Sequence, residues 1–154
     1  MLRKYELTHE LIIINNQVLY RIRALSDFFN VKAGDLGGFV EAINTISHVG
    51  TCWVSENARV FGNAWIYGDA QVFGNAQVFG ASRVSETARI GDNAKVFGVA
   101  WVFDHAKISG DAIVCGNTNV FGDVNITSGI WNRALWIENR PYLVSVTLQK
   151  ILLR

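Results

Sequence analysis

From Cys52 to about Ser128 the chain repeats itself every six residues. The clearest copies are Ala58-Arg59-Val60-Phe61-Gly62-Asn63, Ala64-Trp65-Ile66-Tyr67-Gly68-Asp69 and Ala70-Gln71-Val72-Phe73-Gly74-Asn75. An aliphatic residue recurs without a gap from Val54 through Val60, Ile66 and Val72 to Ile126. Two positions before it stands a small side chain, as at Ala58, Ala64, Ala70, Ala76, Ser82 and Ala88. Side chains on a strand alternate between faces, so the small and the aliphatic residue point the same way. The Gly-Asn and Gly-Asp steps tolerate positive φ and mark turns. One short strand and its turn cannot bury an apolar side alone, so successive units must stack.

Sorting the residues by eighteen makes the columns more uniform. One column reads Phe61, Phe79, Phe97, Cys115, the next Gly62, Gly80, Gly98, Gly116, and a turn column reads Asn57, Asn75, Asn93, Asp111. Three hexads per coil predict an all-β triangular prism of parallel strands, with coils about 4.8 Å apart. A right-handed solenoid is the competing architecture, and it needs longer and less regular rungs.

With 154 residues the chain makes one domain, or one domain and a small cap. Half of it is apolar, enough for a continuous core. A formal net charge of +1 provides no global field toward nucleic acid or membrane, so no direct DNA binding is expected. Cys52 holds an inward small-residue position and Cys115 an outward one. They have no metal-site spacing and their columns do not meet, which predicts free thiols, a reducing compartment and no bound metal. Leu11-Ile12-Ile13-Ile14 is too short to span a bilayer and has the wrong flanks for a signal peptide. The expectation is a soluble, cytoplasmic protein.

In chain order, residues 1–42 read as an N-terminal cap module, 43–129 as the hexad solenoid, and 130–154 as a closing or oligomerisation tail. Within 4–25 a β-hairpin is predicted, with Leu11 to Ile14 as one strand, Asn15-Asn16-Gln17 as the turn and Val18 to Leu25 as the other. The first rung of a solenoid exposes its core and strand edges, and this module is placed to cover them. Gly34-Asp35-Leu36-Gly37-Gly38 has the look of a phosphate loop, but no Lys-Ser/Thr follows and it opens no helix, so a structural turn is the better reading. Ile43 to Gly50 makes an imperfect first rung, and Tyr142 to Leu148 alternates like a strand.

Leu19-Tyr20-Arg21-Ile22-Arg23-Ala24-Leu25, then Gly34-Asp35-Leu36-Gly37-Gly38-Phe39-Val40-Glu41, then the Asn-Ala-x-Val-Phe-Gly hexads together resemble a family of phage and prophage hexapeptide-repeat proteins, many loosely labelled acyltransferases. The resemblance covers roughly residues 4–128. It implies a left-handed parallel β-helix and homotrimeric relatives. It implies no agreed chemistry, and the tail from Ile130 matches no pattern of that family.

Candidate sites lie on the outward positions, since the inward ones are core. A Phe face carries Phe61, Phe79 and Phe97, too large an apolar ladder for a free surface, and is assigned to subunit contact or to cover by the tail. A Trp face carries Trp65, Arg83, Trp101 and Asn119 in one column, with Tyr67, Ser85, Phe103 and Phe121 beside it. Stacking would place the Arg83 guanidinium between the two indoles. Trp65, Tyr67, Arg83, Trp101 and Phe103 are therefore the candidates for contact with a protein partner or a nucleotide-like ligand. The remaining, polar face bears Ser55, Phe73, Gly91, Ser109 and Thr127, with Trp53, Gln71, Arg89, Lys107 and Asn125 as companions, and reads as solvated.

Left-handed β-helix acyltransferases use a His as general base. The candidate is His105, between Thr87 and Asp123 in its turn column and next to Asp104. Asp123 one rung away would orient the imidazole. His105 also stands where other rungs place a residue that simply tolerates a turn.

The leading expectation is a non-enzymatic, homo-oligomeric, trimeric phage-type binding protein without cofactor, in the form of an inhibitor or sponge of a host factor. The alternatives are an acyltransferase drawing on acyl-CoA, with His105 as base, and a structural element of a virion or filament.

Overall fold

The computed structural model describes residues 2–132 and the backbone of Trp136–Ile137. These residues form eighteen β-strands and no helix. Strands β1 (Tyr5–Ile14) and β2 (Gln17–Ala24) make the expected hairpin. Asn15 and Asn16 both take left-handed φ, at 51° and 65°, the requirement of a two-residue hairpin turn. β1 begins earlier than its apolar run, and a register shift between Leu7 and Leu11 marks the irregular stretch.

Strand β3 (Leu36–Val40) contains Gly37 and Gly38, which the sequence reads as part of a turn. Only Gly34, at φ +94°, serves a turn. Gly37 and Gly38 lie in the strand because nothing larger fits. A Cβ on Gly38 would stand 2.5 Å from the Ala58 carbonyl oxygen, and one on Gly37 would stand 2.5 Å from that of Val54. β3 pairs antiparallel with β2 on one edge and, on the other, in parallel with Arg59–Val60, the first repeat strand of that sheet. It is the splice between hairpin and solenoid.

The repeat then winds. After β4 (Trp53–Val54) come β5 (Arg59–Val60), β6 (Trp65–Ile66) and β7 (Gln71–Val72), then β8 (Gln77–Val78), β9 (Arg83–Val84) and β10 (Arg89–Ile90). The next coils hold β11 (Lys95–Val96), β12 (Trp101–Val102) and β13 (Lys107–Ile108), then β14 (Ile113–Val114), β15 (Asn119–Val120) and β16 (Asn125–Ile126). β17 (Ile130–Trp131) and β18 (Trp136–Ile137) begin a last coil. Every third strand shares a sheet. The Phe sheet runs β1-β2-β3-β5-β8-β11-β14-β17, the polar sheet β16-β13-β10-β7-β4, and the Trp sheet β18-β15-β12-β9-β6. The imperfect first rung joins the Trp sheet through a parallel bridge from Ile46 to Ile66. The chain is a parallel β-solenoid with three strands per coil.

The aliphatic column from Val54 to Ile126 fills the axis at no more than 1% exposure. The small column lies beside it, mostly alanine and buried throughout the ladder from Ala88 to Ala112. Ser82 and Thr118 take two of its places and spend their hydroxyls on the Phe79 and Cys115 carbonyls. Register holds at eighteen until the last coil. There Ile113 pairs with Ile130 and Asn119 with Trp136, one residue short.

The N-terminal module closes the first coil with contacts that occur once. The buried Lys4 ammonium donates to the Cys52 carbonyl at 2.8 Å and the Gly50 carbonyl at 3.2 Å, and lies 3.4 Å from Cys52 Sγ. Its backbone N–H donates to His48 Nδ1 at 2.9 Å, while His48 Nε2 bonds the Ile43 carbonyl at 2.9 Å. That pair of bonds specifies the Nε2–H tautomer. The Tyr5 ring stacks on His48 at 4.5 Å, and its hydroxyl bonds the Ile43 carbonyl and accepts from Ile46 N at 3.3 Å. Burial pushes the Lys4 ammonium below its ordinary pKa, opposed by Cys52. Burial pushes the Cys52 thiol up, opposed by Lys4. Both cysteines are free thiols.

Candidate functional site

On the Phe sheet the three rings stack, Phe61 on Phe79 at 4.8 Å and Phe79 on Phe97 at 4.9 Å. Part of their cover comes from the chain's own hairpin. Leu19, Phe39 and Phe61 form a cluster with Ile12, Ile14 and Phe79 against it. Phe61 is left 3% exposed, so Phe79 and Phe97 carry the ring surface that remains. The tail beyond Asn132, the other candidate cover, lies outside the described residues apart from the backbone of β18.

On the Trp sheet the register is as expected, with Trp65 opposite Arg83 and Arg83 opposite Trp101. The sandwich does not form. Trp65 turns onto Tyr67 of its own rung, centroids 4.2 Å apart and 28° between planes. Trp101 leans on Phe103 at 4.8 Å, and Phe103 stacks on Phe121 at 5.2 Å. The Trp101 indole N–H donates to Ser85 Oγ at 3.3 Å. An aromatic partner two residues away hides ring surface at the expense of two torsions, whereas holding Arg83 between indoles would desolvate a guanidinium. Arg83 stays exposed and extends into solvent. The face is thus an aromatic lattice, with Trp65 44% exposed at its end. Below it, residues including Glu41, Asn44, Asn63 and Trp65 line an open cleft of about 710 Å³.

His105 is exposed and its Nδ1 lies 2.5 Å from Thr87 Oγ1, which also donates to the Asp104 carbonyl at 2.9 Å. Its hydrogen-bonded neighbour is therefore a hydroxyl one rung back, and Asp123 does not bond it. The Asp104 carboxylate accepts from Gly122 N at 3.1 Å. Glu56 does the same for Gly74 N at 3.0 Å and Asp92 for Gly110 N at 2.9 Å. These three acids occupy left-handed turn positions, with φ of 57°, 54° and 57° for Glu56, Asp92 and Asp104, where most rungs have Gly. Each uses its side chain to satisfy the next rung's amide. Among the described residues no three His, Cys, Asp or Glu gather as a metal site.

The polar sheet departs most from its sequence reading. Trp53 is 4% exposed rather than solvated, because the loop after the hairpin folds over it and sets Phe28 edge-on at 5.3 Å. Arg89 lies over the Phe73 ring, 4.9 Å from its centroid. Here, and not between the tryptophans, this surface brings cation and aromatic ring together. Loop and sheet enclose a cleft of about 430 Å³ that includes Phe29, Asp35, Glu56, Gln71, Phe73 and Arg89. Only the phenylalanine next to a glycine in the following rung, Phe73 over Gly91, hinted at it in sequence.

A family model described as "YdcK Beta solenoid repeat" matches residues 70–86, about one coil of the prism. No curated protein matches the chain. Among the described residues no helix is long and apolar enough to cross a membrane.

Proposed function

We propose that this chain is a non-enzymatic, homo-oligomeric β-solenoid binding protein whose Trp face holds a protein partner or a nucleotide-like ligand. One observation carries the reading. Trp65–Tyr67 and Trp101–Phe103–Phe121 stand as packed aromatic groups on an outer sheet, each anchored to a two-residue strand whose neighbours are fixed above and below. Aromatic side chains on a rigid lattice give contact area at little entropic cost, and Trp is the residue most enriched at binding hot spots. Self-association would use what remains of the Phe ladder, at Phe79 and Phe97, with the exposed Ile130 at the far end of the same sheet. The left-handed winding, the trimer and the role as a phage inhibitor or sponge in the host cytoplasm are those the resemblance implies, and no cofactor enters the reading.

Native mass spectrometry of the protein purified gently from its host tests it. A discrete oligomer carrying a stoichiometric added mass, lost in Trp101→Ala with an unchanged circular dichroism spectrum, is the expected result. Retention of the added mass by Trp101→Ala removes the Trp face from the account. Acyl transfer from acyl-CoA that disappears in His105→Asn would overturn the non-enzymatic reading.

A further inference from the structure

The cleft between the cap loop and the polar sheet is built, not left over. The Phe73 ring lies down across the next rung because that rung has Gly91, where a Cβ would come within 2.3 Å of it. The flattened ring supports the Arg89 guanidinium. Across from them stands Phe29, 70% exposed and held at φ +48° by the paired Phe28–Val31 hydrogen bonds of 3.0 and 2.8 Å. A bulky aromatic residue in the left-handed region is strained, and such strain concentrates where a loop must present a side chain.

The charges around the cleft are opposite and do not meet. The ion pairs among the described residues join Arg21 to Glu10, Arg23 to Glu6 and Lys32 to Asp27, and leave Arg89, Glu56 and Asp35 aside. Each acid is half used. Glu56 Oε1 accepts from Gly74 N and Asp35 Oδ2 accepts from Lys32 N at 2.9 Å, so one oxygen of each is free. The Gln71 amide nitrogen is committed to the Thr51 carbonyl at 3.0 Å, which leaves its oxygen as an acceptor. A simple anion would suit Arg89 but meet two carboxylates, and a simple cation would suit the acids but meet the guanidinium. A small molecule with both charges and an apolar body satisfies all of them.

We propose that this cleft binds a free amino acid with an apolar side chain. The carboxylate takes the guanidinium edge of Arg89, the ammonium takes the free oxygens of Glu56 and Asp35 with Gln71 Oε1, and the side chain packs between Phe29 and Phe73. The site is separate from the Trp face.

Isothermal titration of the full-length protein with L-phenylalanine tests this. Saturable binding is expected, at least about tenfold weaker in Arg89→Gln, from loss of a charge-assisted bidentate contact. Gly91→Ala, which displaces the outer atoms of the Phe73 ring, weakens it as well. Phenylacetate and phenethylamine, each lacking one charge, bind more weakly than the amino acid, as does glycyl-phenylalanine, whose charges are further apart. Trp101→Ala leaves the titration unchanged, so failure of the Trp-face reading and failure of this one give different results. The proposal is overturned by absence of heat at millimolar L-phenylalanine, by unchanged affinity in Arg89→Gln, or by equal binding of the dipeptide.

Discussion

The solenoid body and the N-terminal module solve the same problem of burying a strand's apolar side in opposite ways. In the body each rung repeats its neighbour. Ile90 sits on Val72 and under Ile108 in the same register, and each backbone bond has a counterpart eighteen residues on. In the module nothing recurs. Lys4, Tyr5, His48 and Cys52 form one polar knot under the first coil, and the hairpin seals a single ring, Phe61. Repetition spreads stability along an axis with no critical point, because each rung depends only on its neighbours. A cap concentrates it in a few groups that have no substitute.

The contrast can be tested by substitution. The largest effect is expected in the body. Ile90→Ala empties a fully buried axial position and should cost about 4 kcal/mol in denaturant unfolding. Ile108→Ala, its counterpart one rung on, should match it closely, and a marked difference would break the idea of equivalent rungs. Gly38→Ala strikes the splice, where the new Cβ meets the Ala58 carbonyl oxygen at 2.5 Å and Val54 at 2.7 Å. It should cost about 3 kcal/mol by forcing β3 away from β5, with amide exchange rising first in the hairpin. Tyr5→Phe keeps the ring stack but strips the hydroxyl from the Ile43 carbonyl and Ile46 amide. About 2 kcal/mol should be lost in denaturant unfolding. The smallest effect is at Asp69, an exposed turn residue whose carboxyl Thr51 holds below the usual range through two hydrogen bonds. A depressed folded-state pKa adds stability above the unfolded value and loses it as pH falls through the folded one. Melting temperature against pH should therefore flatten slightly on the acid side in Asp69→Asn. An unchanged profile would show that the Thr51 contact does not contribute in solution.

The body was legible throughout and the module only in its hairpin, for a physical reason. A periodic sequence reports its own neighbours, so Val60, Val78 and Val96 declare a shared environment before any coordinate is known. Gly37 and Gly38 give no such report. A glycine required by the approach of another strand has the same one-letter code as a glycine required by a turn, and β3 was hidden by that ambiguity. Trp53 was misread because the periodic pattern places it outward, correctly, and says nothing of the Phe28 loop that comes to lie on it. The Trp65–Arg83–Trp101 column was read in the right register but with the wrong partners, since register constrains backbones and rotamers choose among neighbours. The Arg89 cleft needs both regions at once, the repeat for its floor and the cap for its far wall. A column-by-column reading could find Phe73 and Gly91 but not what faces them.

The one-residue shortfall between Ile113 and Ile130 marks a change of phase in an otherwise constant repeat. A coil of eighteen residues is a module of gene sequence as much as of structure. Duplicating residues 70–87 should lengthen the prism by one rung, about 4.8 Å, and leave the coils on either side as they are. Where the count drops from eighteen, as it does after Ile113, a further copy would not fall into phase. The solenoid resembles a ruler that can be extended from the middle by tandem duplication, with its graduations changing step after Ile113.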